Sequence, residues 1–144
     1  MNTSDAGLAL IRRFEGFSAR PYLCPSRILT IGYGHVITPA EYSVPMVISE
    51  ARAMELLMAD VAVAEKAVAH YISIALNQNQ FDALVSFTYN LGSGVLQRAT
   101  LRRAINRGEA SAIAYQWKRW VWGGGRKLPG LVARRAAELA LFQQ

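Results

Sequence analysis

Three residues near the start of the chain carry side chains that could do acid–base chemistry: Glu15, then Cys24 eight residues further on, then Thr30 after five more. Glu15 closes the first helical pattern, where the macrodipole places partial negative charge, and Phe14 and Phe17 flank it. Like charge and loss of water both favour the protonated carboxyl, the form a general acid needs. A free thiol titrates near 8.5, so Cys24 would serve as a base only where its surroundings raise the thiolate fraction. Thr30 offers a hydroxyl that can orient water or a polar ligand. Each also has a plainer reading: a solvated helix-end glutamate, a small buried hydrophobe and an ordinary strand threonine.

Two histidines invite comparison with that trio. His35 follows Gly32-Tyr33-Gly34 and suggests a Cys24–His35 peptidase dyad, which would require the two side chains within hydrogen-bond reach. A lone histidine after a hairpin more simply reads as a structural hydrogen-bond partner. His70 sits late in a helix, where its charged form suits the C-terminal dipole.

The elements that must position these residues are legible from spacing and caps. Ser4 or Asp5 can cap a first helix whose apolar Leu8, Ile11 and Phe14 recur at helical spacing, and Gly16 stops it. Pro21, Pro25, Gly32, Gly34 and Pro39, with the β-prone run Ile28 to Tyr33, predict a small hairpin sheet over roughly residues 20–47. Ser49 then caps a long helix to about Tyr71. Its Leu56, Met58, Val61, Val63 and Val68 form no single narrow stripe, which predicts a helix apolar on more than one face. Asn77 and Gln80 form a capping-box pattern before FDALVSFTYNL, the most apolar helix, which ends at Gly92. Thr100 opens a short basic helix closed by Gly108. Residues 109–121 form another, broken by Gly123-Gly124-Gly125, and 130–142 form the last.

One helix, a small sheet and then only helices define an α+β chain, with a mixed N-terminal lobe and a helical C-terminal lobe. The length suits a single domain over 1–144, divided at about 1–48, 49–71 and 72–144. A cleft between the lobes is the default site.

Composition narrows the function classes. Sixteen basic against 10 acidic residues leave +6 and a pI near 9.9, favouring polyanionic partners. Cys24 is the only cysteine, which rules out an intramolecular disulfide and a multi-cysteine zinc site. The first apolar run is interrupted by Arg12 and Arg13 and is too short for a signal peptide, so folding in a cytoplasm is expected. No metal or nucleotide motif appears, and no cofactor is expected.

The opening FEGFSARPY and the run LTIGYGH, with Glu15, Cys24 and Thr30 at their spacing, resemble the phage-type (T4-like) lysozymes and endolysins of glycoside hydrolase family 24. QNQFDALVSFTYNLGSG and the closing KLPGLVARRAAELALF resemble the same family, so the likeness runs nearly the whole chain in order. It implies a lysozyme-like fold, with the small hairpin lobe and the helical lobe joined by a long helix. It also implies an enzyme that hydrolyses the β-1,4 bond between N-acetylmuramic acid and N-acetylglucosamine in peptidoglycan. Such chemistry needs a group that protonates the leaving oxygen and a second that activates water or stabilises the transition state. By resemblance Glu15 is the acid, Cys24 the base for water and Thr30 its positioning partner. Cys24 stands where most members carry a carboxylate, although the resemblance tolerates cysteine. Attack by water on the face opposite Glu15 would invert the anomeric configuration.

The resemblance places Tyr89 and Asn90, and as a further candidate Thr100, against the saccharide. The tryptophans Trp117, Trp120 and Trp122 share no clean face, so at least one should be core. Arg134 and Arg135 follow LPGL and read as a solvated or structural pair. A peptidoglycan hydrolase of this kind is expected to be monomeric, held to an anionic envelope by its charge, and released from the host cytoplasm by a separate holin.

Two readings without catalysis compete. Short helices and basic charge could suggest a nucleic-acid-binding domain, but that leaves EGFSARPY to IGYGH unexplained, so no specific nucleic acid is expected. RATLRRAINR is basic and partly amphipathic and could lie on an anionic membrane.

Overall fold

The computed structural model describes residues 1–144. Helix α1 (Asp5–Glu15) starts at Ser4, whose hydroxyl accepts from the Gly7 N–H at 3.2 Å. The Ser4 N–H donates to Oδ1 of Asp82 at 3.0 Å and its hydroxyl donates to Oδ2. A Cβ on Gly7 would stand 2.6 Å from the Asp82 side chain, so only glycine allows this approach. One end of α1 is thereby locked to the helical core, and the other end carries Glu15.

Three antiparallel strands follow, β1 (Ser18–Leu23), β2 (Leu29–Gly32) and β3 (His35–Val36), in the order β1-β2-β3. Tyr22 pairs with Thr30, and Thr30 with Val36. The sheet ends at Val36, well short of the expected 47; residues 37–47 cross to the next helix as loop and turns. Their single β-prone residues are separated by Pro39 and Pro45, which remove the N–H donors a ladder would need.

Helix α2 (Glu50–Tyr71) begins at the predicted cap, with Ser49 accepting from the Arg52 N–H at 3.0 Å. The expectation that it is apolar on several faces does not hold. Ala53, Leu57, Val61, Ala64 and Val68 form one buried stripe at helical spacing, while Met58 and Val63 are exposed. Small alanines carry part of that stripe because α2 approaches its neighbours closely, and the larger side chains are left outside.

Helix α3 (Gln78–Leu91) carries the full capping box of Asn77 and Gln80, and Phe81 through Thr88 are buried without interruption. It packs against α1, α2 and α7 (Pro129–Phe142) and is the centre of the fold. Between lie α4 (Ser93–Arg98), α5 (Thr100–Arg107) and α6 (Ala110–Lys118), with a two-stranded ribbon, β4 (Trp122–Gly123) and β5 (Arg126–Lys127). The sequence reading missed α4, a helix of six residues beginning one residue after Gly92. It also read the glycine run as a simple break, where it is the turn of a hairpin with Gly124 and Gly125 at positive φ. Helix α5 turns Leu101, Ala104 and Ile105 into the core, so its apolar face is not free to lie on a membrane. No helix is long and apolar enough to cross a membrane.

His35 ties the sheet to α2 and to the loop that follows it. Its Nδ1 lies 2.7 Å from Asp60 on α2 and its Nε2 lies 2.8 Å from Glu41, the structural role expected of it. Burial lowers the imidazole's pKa, but the hydrogen bonds it donates to Asp60 and Glu41 outweigh this and hold His35 above its ordinary value. Glu41 is held below its ordinary value by the Thr38 hydroxyl and by His35. His35 therefore contributes stability that is complete below pH ~6.5 and is lost as pH rises through its raised folded-state value. Glu41 contributes above about pH 4.5 and loses that contribution as pH falls. The stability advantage of the wild type over His35→Gln should be greatest between those limits and shrink toward pH 9. Melting curves of both proteins across that range check this; a constant difference would refute it.

Candidate active site

Glu15 is largely withdrawn from solvent and anchored by an arginine from the far end of the chain. Nη1 of Arg134, on α7, donates to its Oε1 at 2.5 Å. Arg134 is itself buried, and its Nε meets Glu138 at 3.2 Å. Arg135 reaches the same Glu138 at 2.8 Å and donates to Asn90 at 2.9 Å. Ser86 and the Trp117 indole N–H donate to the two Glu138 oxygens at 2.7 and 3.0 Å. Two guanidinium groups and two carboxylates thus form one compensated cluster, and Glu15 is its outermost member. Of the solvated and structural readings of Arg134 and Arg135 the structural one holds: both are buried, Arg134 against Glu15 and Arg135 against Glu138. The helix end and flanking phenylalanines, on which the sequence reading of Glu15 rested, leave this contact out, and Phe17 proves exposed.

Gly34, between β2 and β3, meets Glu15 on its other side. Its φ is +82°, and a Cβ there would lie 2.6 Å from Oε2 of Glu15 and 3.3 Å from the Tyr89 hydroxyl. A hollow of about 280 Å3 opens beside this contact, lined by Gly34, Val36, Asp60, Thr88, Tyr89 and Ser93 among others. Glu15 stands at its edge behind Gly34, while Cys24 and Thr30 lie outside it. Tyr89 spans the joint between sheet and helices, donating to the Tyr33 carbonyl at 2.6 Å. Burial, then the charges of Glu15 and Asp60, raises its phenol well above the ordinary value. The Thr88 hydroxyl is buried at the hollow without a hydrogen-bond partner.

On the sheet side, Cys24 and Thr30 meet around Tyr22. The Cys24 N–H donates to the Ile28 carbonyl at 3.1 Å, closing the turn that brings the thiol back toward β2. Burial raises the thiol's pKa, but backbone hydrogen bonds at Ile28 and Ser26 and the Thr30 hydroxyl together hold it below its ordinary value. The single Thr30 proton also has the Ile28 carbonyl as acceptor at 2.9 Å, so it serves one partner at a time. Tyr22, raised first by burial and then by the charges of Glu15 and Cys24, lies within the field of both. His35, occupied by two carboxylates, makes no hydrogen bond with Cys24 and forms no dyad.

The structure therefore brings Glu15, Cys24, Thr30 and Tyr89 to one region. Asn90 is close, with its Oδ1 taken by Arg135. Thr100 is elsewhere: it lines a second hollow that shares no residue with the first. The sequence reading missed Tyr22, Gly34 and Asp60. Of these, Gly34 left the clearest signal, a glycine between Tyr33 and His35 in a run otherwise suited to a strand.

Fold and site together define a small α+β protein in which one anchored helix-end carboxylate stands behind Gly34 at the edge of a hollow between a short sheet and a helical body. The Phage lysozyme family model matches residues 12–138, and the chain belongs to that family. It is 39% identical over 144 residues to the endolysin of Bacillus phage PZA, covering 99% of this chain and 55% of that protein. It thus spans about half the length of that relative and of the Bacillus phage B103 endolysin, of which it covers 54%. The endolysin of Acyrthosiphon pisum secondary endosymbiont phage 1 is 35% identical, with 99% of each chain covered. Among solved structures, the endolysin from Escherichia coli O157:H7 phage FAHEc1 superposes with a TM-score of 0.87 at 34% identity, covering 99% and 93% of the two chains. The muramidase domain of SpmX from Asticaccaulis excentricus gives 0.88 at 32%, covering 99% and 98%.

Gly34→Ala should displace the Glu15 carboxylate and lower turnover at least ~10-fold, while the strained backbone costs only about 1–2 kcal/mol of stability. Steady-state rates and melting temperature of the variant, measured side by side, separate the two effects; unchanged turnover would refute the contact's role.

Proposed function

We propose that this protein hydrolyses the β-1,4 bond between N-acetylmuramic acid and N-acetylglucosamine in bacterial peptidoglycan, with Glu15 as the general acid. It would act as an endolysin of the T4-like, glycoside hydrolase family 24 type. The observation that carries this reading is the anchoring of Glu15 by the buried Arg134 at the edge of a hollow. Arg134 fixes the carboxyl's direction, and it stabilises the carboxylate left behind once the proton passes to the leaving oxygen. Family membership and the muramidase-domain neighbour support the same substrate class.

Cys24 and Thr30 would manage the attacking water. A thiol held below its ordinary pKa carries more thiolate at neutral pH and can take the water's proton. The Thr30 hydroxyl, which has two acceptors to choose between, would hold that water. Attack from the side opposite Glu15 would invert the anomeric centre. Tyr89 would hold the saccharide, with Asn90 beside it; Thr100, which lines the other hollow, would take no part. The division at 1–48 would shift, because α1 packs into the helical body: the sheet of residues 18–36 would form one wall of a single catalytic domain and the helices the other.

In this reading the protein works as a monomer, the host cell lyses, and a separate holin gives access to the wall from the cytoplasm. The excess of positive charge would hold it to an anionic envelope. A catalysis-independent membrane role for α5 finds no support, because its apolar side chains are already packed.

Digestion of purified peptidoglycan by the wild type and by Glu15→Gln, with products identified by mass spectrometry, tests the proposal. The amide can still accept from Arg134, so the variant should stay folded yet lose turnover by a factor of ~100 or more. Reducing muropeptides ending in N-acetylmuramic acid are expected from the wild type. Anhydro ends would retain Glu15 but remove the water-activating roles, and peptide-bond products would sink the reading. Cys24→Asp should keep activity and extend it to lower pH, since a carboxylate ionises below a thiol; a pH–rate profile unchanged by the substitution would remove Cys24 from the chemistry.

A further inference from the structure

The second hollow carries a chemistry that the catalytic region does not use. It is about 370 Å3 and is lined by Arg98, Thr100, Gln116, Arg119, Trp120 and Trp122, with two aliphatic residues. No carboxylate borders it. Arg119 donates to Gln116 at 2.9 Å, and neither Arg119 nor Arg98 takes part in an ion pair. This contrasts with Arg134 and Arg135, which the fold pairs carefully. Two guanidinium groups left without counter-charge around one concavity create a local positive potential. Trp122 is 65% exposed on the β4–β5 ribbon, which adds the exposed Arg126 and Lys127. An exposed indole beside free arginines presents a flat apolar face and planar cationic donors together.

We propose that this hollow binds a phosphate-bearing saccharide, with the phosphate taken by Arg98 and Arg119 and the sugar ring stacked on Trp122. Two unpaired guanidinium groups match the charge and acceptor oxygens of a phosphate better than those of a single carboxylate. Such groups occur in two envelope sources, phosphorylated lipid-linked sugars and sugar-bearing polyol-phosphate polymers. The hollow shares no residue with the one beside Glu15, and binding here would tether the protein to the envelope. The proposal stands apart from the catalytic reading, since it requires no bond cleavage.

The test uses the full chain carrying Glu15→Gln, so that no probe is degraded, at an ionic strength of about 0.15 M. The probes are phosphatidylcholine vesicles containing lipid A and, separately, glucosylated poly(glycerol phosphate), with tryptophan fluorescence and co-sedimentation as readouts. Binding to at least one probe is expected, and whichever binds identifies the source. Arg98→Ala/Arg119→Ala and Trp122→Ala should each weaken binding by roughly tenfold. In the background with Glu15 intact, both should leave hydrolysis of a soluble muropeptide substrate unchanged. Lys66→Ala/Arg107→Ala removes the same charge from exposed positions on α2 and α5 that do not border the hollow, and should have little effect. Equal loss in that control pair, equal binding of vesicles whose lipid A has been dephosphorylated, or no binding to either probe would overturn the proposal. Failure of the catalytic reading would appear in the peptidoglycan digest and leave these binding results unaltered.

Discussion

The structure depends on keeping four charges in or at the edge of a helical core. Taking any of them from water alone would cost several kcal/mol, and the arrangement is tolerable because each has a partner of opposite sign. Glu138 is fully buried and is shared by Arg134, Arg135, Ser86 and the Trp117 indole. Arg134 has donors left over, and the one that points outward meets Glu15. The result is a rigid line from the middle of α3 and α7 to the last residue of α1. Hydrophobic packing alone would not orient a carboxyl group, whereas a guanidinium fixed at its other end does.

The same constraint explains why the chain's ends must meet. Helix α1 is held at its start by Asp82 and at its finish by Arg134, one from α3 and one from α7. It is therefore part of the helical body, although in sequence it precedes the sheet. The sheet is joined to that body by lighter ties: the Tyr89 hydroxyl on the Tyr33 carbonyl, and His35 on Asp60. Glu15 belongs to the part anchored through Asp82 and Arg134, and Cys24 and Thr30 belong to the sheet.

Charge is used in two opposite manners on this molecule. In the core every cation is matched. Around the second hollow, Arg98 and Arg119 are left unmatched beside an exposed tryptophan. The excess of +6 comes from surface cations without an ion pair, Arg98 and Arg119 among them. Part of it borders a concavity whose lining holds no acidic residue.

Local rules were enough to place much of the architecture. Ser4, Ser49 and Asn77 cap the helices they appeared to cap, because an N-cap is decided by a few neighbouring residues. The uninterrupted apolar run of α3 announced its burial for the same reason. The grouping of Glu15, Cys24 and Thr30 was legible only as spacing and resemblance, with no indication of what would hold the acid. What sequence could not supply were contacts between distant segments. Arg134 lies 119 residues from Glu15, and nothing in its surroundings distinguishes a solvated arginine from a buried one. Thr100 looked equivalent to Tyr89 as a ligand contact, yet the turn at Gly92 and helix α4 send it to the other hollow. The amino-acid order set the helices, caps and turns through short-range hydrogen bonds and periodic burial. Which side chains face one another across the core was decided by tertiary packing, because the desolvation of a charge depends on partners the local sequence does not contain.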